Sequence, residues 1–382
     1  MSDTDHGTVS AIVLAAGHGT RMRSNRPKPL HRMCGRPIVL HAIWALCDVL
    51  PQRTVVVVGN SAERVTKRVQ ESSPEWANVV FAEQAEQRGT GDAALAGLTG
   101  IPGDDLDDES TVVVLPGDAP LLLPSTIVGL VTTHVRSRNA ATVLTAVVAD
   151  PTGYGRVIRG PDASVRAIVE ERDTDDEERQ VTETNTSVYA FRRDLFGPAL
   201  RRISPHNAQS EYYLTDVIAV LSGMGHRVGG VEADAAETRG VNDRWQLALA
   251  ERELRARTNR RWLLEGVTML DPRQTFVDVD VQLGRDVTLY PGTILEGTTT
   301  IGDHCTIGPQ TRLTDCAVGV SSTVANTVGR EAEIGSGCTV GPFAALEPGT
   351  HVADGSVTGA FYTAGIDTAA SGAGGRQLTE DR

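Results

Sequence analysis

The sequence predicts an α/β domain, a mostly parallel sheet with helices on both faces, followed by a short parallel β-helix of hexapeptide repeats. Short β-branched apolar runs alternate with helical patterns through the first part of the chain, as expected for parallel strands joined by crossover helices. From Leu283 onward an aliphatic residue recurs at a spacing of six, with two slips in the count. Aromatic residues are only 4% of the chain against 39 Gly, a balance that suits narrow, repeated turns more than one thick core.

Taken in order, Val9–Leu14, Thr54–Val58, Val79–Phe81, Thr111–Leu115 and Thr142–Val148 read as buried strands, being short, β-branched and bounded by turn residues. Between them Pro37–Leu50, Ala62–Gln70, Asp92–Leu98 and Pro124–His134 carry helical spacing. Ligands of such sheets bind beyond the carboxyl ends of the strands, so chemistry is expected in the segments right after them. Leu247, Leu249, Ala250, Leu254, Leu263 and Leu264 then lie among Glu, Arg and Gln, which reads as a long amphipathic helix connecting two parts. Beyond Gly266, Leu283, Leu289, Leu295, Ile301, Ile307 and Leu313 are spaced by six. The count slips to Val318 and Val324, slips again to Val328, and runs on through Ile334, Val340, Leu346 and Val352. Such repeats build a parallel β-helix whose aliphatic residues stack inward, and with about three hexads per turn Leu283 to Val357 makes roughly four coils. The expected organisation is a sheet domain over 1–241, a connecting helix over 242–265, a β-helix over 266–362 and a Gly- and Ala-rich disordered tail over 363–382.

Charge narrows the function. Of 382 residues, 36 are Lys or Arg and 49 are Asp or Glu, a net of −13. The field of such a chain repels polyanions, which excludes a nucleic-acid binder working through a basic surface. No apolar run approaches the ~20 residues of a membrane span, and Met1–Ser10 is unlike a signal peptide. Five Cys without paired spacing argue for free thiols and a reducing, cytoplasmic location, and no Cys or His cluster has zinc-ligand spacing.

The first strand runs into Leu14-Ala15-Ala16-Gly17-His18-Gly19-Thr20-Arg21-Met22, with Pro27-Lys28-Pro29-Leu30 following. Small residues let the backbone approach a ligand closely, and successive N–H groups can cradle phosphate oxygens. Arg21 and Lys28 would supply charge that the chain lacks elsewhere. No Gly-Lys-Ser/Thr closes a Walker loop, and no dinucleotide fingerprint is present. These motifs resemble the sugar-nucleotide pyrophosphorylases. Nearly the whole chain, from Val9 to Phe361, resembles the bacterial bifunctional N-acetylglucosamine-1-phosphate uridyltransferases/glucosamine-1-phosphate N-acetyltransferases.

That resemblance implies a Rossmann-like nucleotidyltransferase domain followed by a left-handed β-helix, with each motif in a stated role. Leu14, Ala15, Ala16 and Gly17 would bind the nucleotide, and Gln84, Gly89 and Thr90 of the segment Gln84-Ala85-Glu86-Gln87-Arg88-Gly89-Thr90-Gly91 would hold the uracil ring. Asp118, in Pro116-Gly117-Asp118-Ala119-Pro120, and Asn242, in Gly240-Val241-Asn242, would ligate Mg²⁺. The family often has a hydroxylated residue where Pro116 stands. Gly155, Glu170, Asn185 and Thr215 would contact the sugar. Arg21 and Lys28 would be the catalytic cations, stabilising the reacting phosphates as a sugar 1-phosphate oxygen displaces pyrophosphate from UTP. The implied partners are UTP, a sugar 1-phosphate and two further copies of the chain in a homotrimer through the β-helix, with neither nucleic acid nor membrane.

The second half departs from the family. Its segment G-P-F-x-R-L-R-P-G stands here as Gly341-Pro342-Phe343-Ala344-Ala345-Leu346-Glu347-Pro348-Gly349, so that Ala345 and Glu347 replace two Arg. A family Lys aligns with Gly365, and the coils carrying the acetyl-transfer site have no counterpart. The expectation is a monofunctional uridylyltransferase without acetyltransferase activity. Two alternatives are the same chemistry on another sugar 1-phosphate or nucleotide, and a non-catalytic regulatory homologue that binds sugar nucleotides.

Overall fold

The computed structural model describes residues 7–59, 61–101 and 110–364, and the chain divides into two compact units, Met1–Ala250 and Glu251–Arg382. In the first unit β1 (Val9–Leu14) is central, buried along nearly its whole length, as a run that is apolar at every position but Ser10 requires. It pairs in parallel with β4 (Arg53–Val58) on one side and β6 (Thr111–Pro116) on the other, and β5 (Val79–Glu83) continues the sheet beyond β4. A small hairpin of β2 (Arg32–Met33) and β3 (Arg36–Pro37) stands apart from this sheet.

Beyond β6 the order departs from simple alternation. β10 (Glu183–Arg192) enters antiparallel between β6 and β7 (Ala141–Val147), β11 (Val228–Glu232) lies parallel to β7, and a hairpin of β8 (Arg156–Arg159) and β9 (Val165–Val169) branches from β10. Helices cover both faces. α1 (Ile38–Trp44), α2 (Ala62–Ser72) and α4 (Pro124–Arg136) close one apolar core, while α3 (Thr90–Thr99), α5 (Arg193–Leu200) and α6 (Asp216–Gly223) close the other.

α7 (Arg244–Leu264) corrects the expected amphipathic stripe. Leu263 and Leu264 are 38% and 77% exposed, whereas Thr258, Asn259 and Trp262 are buried. The covered face is partly polar because Asn259 Nδ2 donates to the carbonyls of Pro272 and Thr275, both at 2.9 Å.

The second unit is a parallel β-helix of three sheets with five, six and five strands. It starts a turn earlier than the hexad spacing implied. Met269 and Val277 stack beneath Leu289 and Leu295, and this first coil escapes the six-residue count because the 3₁₀ turn Pro272–Gln274 lengthens it. The expected inward position of Val328 is also corrected. Val328 is 59% exposed, and Gly329 takes the interior place between Leu313 and Leu346. A Cβ on Gly329 would sit 3.1 Å from Leu313 Cδ2, so the column there holds no larger residue without shifting its neighbours. The proposed tail start is corrected too, since Thr363–Ala364 forms a strand beside Ala345–Leu346. Positions 365–382, with Gly365, lie outside the described residues.

Candidate active site

The carboxyl ends of β1, β5 and β6 open into a cavity of about 870 Å³. Leu14, Ala15, Ala16 and Gly17 line it where β1 ends, held by Ala15 N–H donating to the Val57 carbonyl at 2.9 Å and Gly117 N–H to the Leu14 carbonyl at 2.8 Å. Gln84, Gly89 and Thr90 line a second wall. Gly89 has φ 115° with ψ 176°, a backbone conformation open essentially to Gly alone. That turn lets Gly91 N–H reach the Tyr212 carbonyl at 2.8 Å and Tyr212 N–H reach the Arg88 carbonyl at 2.7 Å. Thr90 Oγ1 in turn accepts from Leu214 N–H at 3.0 Å, so the strand β5 exit is stitched to the segment carrying Thr215.

The charged centre lies at the end of β6. Lys28 Nζ pairs with Asp118 Oδ2 and donates to Asn242 Oδ1 at 3.0 Å, and Arg21 Nη2 donates to the same Asn242 oxygen at 2.9 Å. Lys28 and Asp118 are half-buried, with side chains 14% and 28% exposed, so their attraction is stronger than that of a surface pair. Asn242 is positioned by an interlocked helix start. Gln246 N–H donates to Asp243 Oδ1 at 2.8 Å, and Gln246 Oε1 accepts from Asn242 N–H at 2.7 Å, as in a capping box. Val241 N–H reaches the Asp118 carbonyl at 2.8 Å, and Arg244 Nε reaches the Met22 carbonyl at 3.2 Å. One short segment thus ties the Arg21 turn to the Asp118 turn.

The remaining wall is built by β9 and the bulge in β10. Pairing of β10 with β7 shifts register between Asn185 and Tyr189, and Asn185, Thr186, Ser187 and Tyr189 all line the cavity. Asn185 Nδ2 donates to the Tyr189 hydroxyl at 2.8 Å, while its Oδ1 accepts from Ser187 N–H at 3.1 Å. Glu170 Oε1 accepts from Thr215 Oγ1 at 3.0 Å. Burial raises the Glu170 carboxyl above its usual range, Thr215 opposes this, and the nearby Asp216 and Asp173 add to it.

Every sequence-predicted site residue except Gly155 lines this one cavity. Gly155 stands directly behind it, where a Cβ would meet Ile168 at 3.1 Å and Glu170 Oε2 at 3.5 Å, and its carbonyl accepts from Asn185 N–H at 2.9 Å. Sequence reading passed over Gln87, whose Nε2 donates to the Ala16 carbonyl at 2.6 Å, and Gln246 and Tyr189. Gln87 sits inside the quoted Gln84–Gly91 segment, and Gln246 follows Asp243 at capping-box spacing, so both had a local signal; Tyr189 had none.

The MobA-like NTP transferase domain matches residues 11–197, and the bacterial transferase hexapeptide repeat matches residues 280–315. The Bifunctional protein GlmU of Streptomyces avermitilis is 46% identical over 345 residues, 90% of this chain and 70% of its own. The chain belongs to the GlmU family. The GlmU of Thermobifida fusca is 46% identical over 85% of this chain and 67% of its own, and that of Mycobacterium marinum 43% identical over 97% and 75%. Like other members of the GlmU family, the protein is a nucleotidyltransferase with a hexapeptide-repeat β-helix. Among the described residues, no helix is long and apolar enough to cross a membrane.

Proposed function

We propose that the protein transfers UMP from UTP to N-acetylglucosamine 1-phosphate, giving UDP-N-acetylglucosamine and pyrophosphate. The observation that carries this reading is the meeting of Lys28, Arg21, Asp118 and Asn242 at the strand ends, with a Gln84–Gly89–Thr90 wall and a Glu170–Asn185–Thr215 wall around the same cavity. Gln84 Nε2 donates to the Gly89 carbonyl at 3.0 Å and to Asp92 Oδ2 at 2.9 Å, which fixes an amide beside the proposed uracil position. Glu170 and Asn185 offer acceptors and a donor for sugar hydroxyls and the acetamido group.

In this reaction a phosphate oxygen of the sugar 1-phosphate forms a bond to the α-phosphorus of UTP as the bond to the β-phosphate bridging oxygen breaks. The electron pair leaves with pyrophosphate. The nucleophile is already an anion, so no general base is needed, and catalysis rests on positioning and charge neutralisation. Arg21 holds the departing pyrophosphate, and Lys28 releases Asp118 to reach the phosphates around the α-phosphorus.

The donor set fits Mg²⁺, since oxygens of Asp118 and Asn242 already converge on one cation, Lys28 Nζ, and this metal is held by one or two carboxylates plus phosphates and water. When bound, Mg²⁺ neutralises charge on the phosphate oxygens. Acetyl transfer is proposed absent, because Ala345 and Glu347, flanking the inward Leu346, stand where the resembled family carries Arg. The stacked flat coils support a homotrimer, checked by light scattering.

Pyrophosphate release with UTP, Mg²⁺ and a panel of sugar 1-phosphates, beside a coenzyme-A release assay with acetyl-coenzyme A and glucosamine 1-phosphate, tests the reading. Fast release with N-acetylglucosamine 1-phosphate and no coenzyme A supports it. Release only with another sugar, or coenzyme-A release, contradicts it.

A further inference from the structure

A second concave site lies apart from the active-site cavity and shares no lining residue with it. Arg26, Arg32 and Pro37 form one wall of a groove of about 350 Å³, and Arg64, Lys67 and Arg68 of α2 form the other. The walls are tied where Arg64 Nη1 donates to the Asn25 carbonyl at 3.0 Å. Among the described residues the single carboxylate in the lining is Glu71, 3.7 Å from Arg68. Among the described residues, Arg26, Arg32 and Lys67 form no ion pair.

In a chain of net charge −13, five cations gathered around one carboxylate repel one another unless an anion offsets them. We propose that this groove binds a small soluble anion with several phosphate groups, of the condensed-phosphate class. Four of its five cations are Arg, whose planar fork matches phosphate oxygens in pairs. Among the described residues no aromatic side chain lines the groove and offers a platform for a base, so the phosphate chain rather than a nucleoside is the recognised part. Arg26 and Lys28 bracket Pro27 at the start of a short 3₁₀ turn containing Pro29, so groove and active site share one stiff segment.

The test is calorimetric titration of the full chain with tripolyphosphate in metal-free buffer at physiological salt. To silence the active site the titrated protein carries Arg21→Ala and Lys28→Ala. The expected result is one tripolyphosphate per chain, with affinity at least about tenfold weaker once Arg64→Glu and Lys67→Glu are added. Thermal melting checks the fold of both proteins, and Arg32→Gln with Lys67→Gln replaces the reversal pair if that pair unfolds. Absence of binding in the first protein, binding unchanged by the groove substitutions, or equally tight binding of inorganic monophosphate would each overturn the proposal. Failure here leaves the uridylyltransferase reading intact, because its assay uses the unmodified active site.

Discussion

Replacing Gly89 with Ala strikes the joint on which the nucleotide wall depends. The new Cβ would lie 2.5 Å from the Tyr212 carbonyl oxygen and 2.8 Å from the Tyr212 nitrogen, the two atoms that knit the loop to Gly91 and Arg88. A backbone at φ 115° and ψ 176° adds strain of about 1–3 kcal/mol for any residue with a side chain. Loosening two hydrogen bonds adds about 1 kcal/mol each, so the total is about 3–5 kcal/mol. For a unit of this size that lowers the melting temperature by roughly 6–20 °C. Because Gln84 and Thr90 ride on the same loop, the KM for UTP should rise more than the KM for the sugar 1-phosphate. Gly225→Ala is the control, having a similar positive φ of 83° but nothing within 4 Å of its Cβ, and should lose only the strain. Scanning calorimetry and initial rates measure both variants. Equal melting losses in the two, or an unchanged KM for UTP in Gly89→Ala, would refute the reasoning.

Three further outcomes follow from the charges. Glu170 has a raised pKa, so it protonates while ordinary carboxylates are still ionised, and the KM for the sugar 1-phosphate should rise as pH falls through that range; Glu170→Gln should have a high KM that is flat with pH in the same steady-state assay. Asp278 is pushed up from 3.8 to about 6, chiefly by burial, so between those values the folded chain keeps a proton that the unfolded chain releases. The contribution of Asp278 to stability is therefore greatest below pH 4 and falls as pH rises to about 6, by at most about 3 kcal/mol, and Asp278→Asn should remove this part of the pH dependence of urea-unfolding energies. Arg156, 1% exposed, pairs with Glu171 Oε2 at 2.6 Å; Arg156→Ala should cost about 3 kcal/mol by denaturant unfolding and raise the sugar KM, since Gly155 and Glu170 are the chain neighbours of this pair.

The legible parts of this fold were those where one physical rule dominates. β1 was readable to the residue because a strand covered on both faces is apolar at nearly every position, Ser10 alone departing here, and the Gly-rich turn after it suits close backbone approach. β10 was not, because Glu183-Thr184-Asn185-Thr186-Ser187 carries polar residues to the cavity through a bulge, breaking the period that marks a strand. Hexad counting failed at Val328 for a related reason. Two spacings of five, Val324 to Gly329 and Gly329 to Ile334, put a Gly in the stack, and a residue without a side chain leaves no apolar mark. The site residues were named through motifs, but the bonds that assemble them, such as Asn242 to both Arg21 and Lys28, join positions far apart in sequence and became visible only in three dimensions.

The most direct test of the account is the rate of pyrophosphate formation from UTP and N-acetylglucosamine 1-phosphate in the wild type beside Lys28→Ala and Asp118→Ala. Turnover is expected in the wild type, with losses on the order of 100- to 1,000-fold in each variant and their fold intact. Variant rates within about twofold of the wild type would contradict the account.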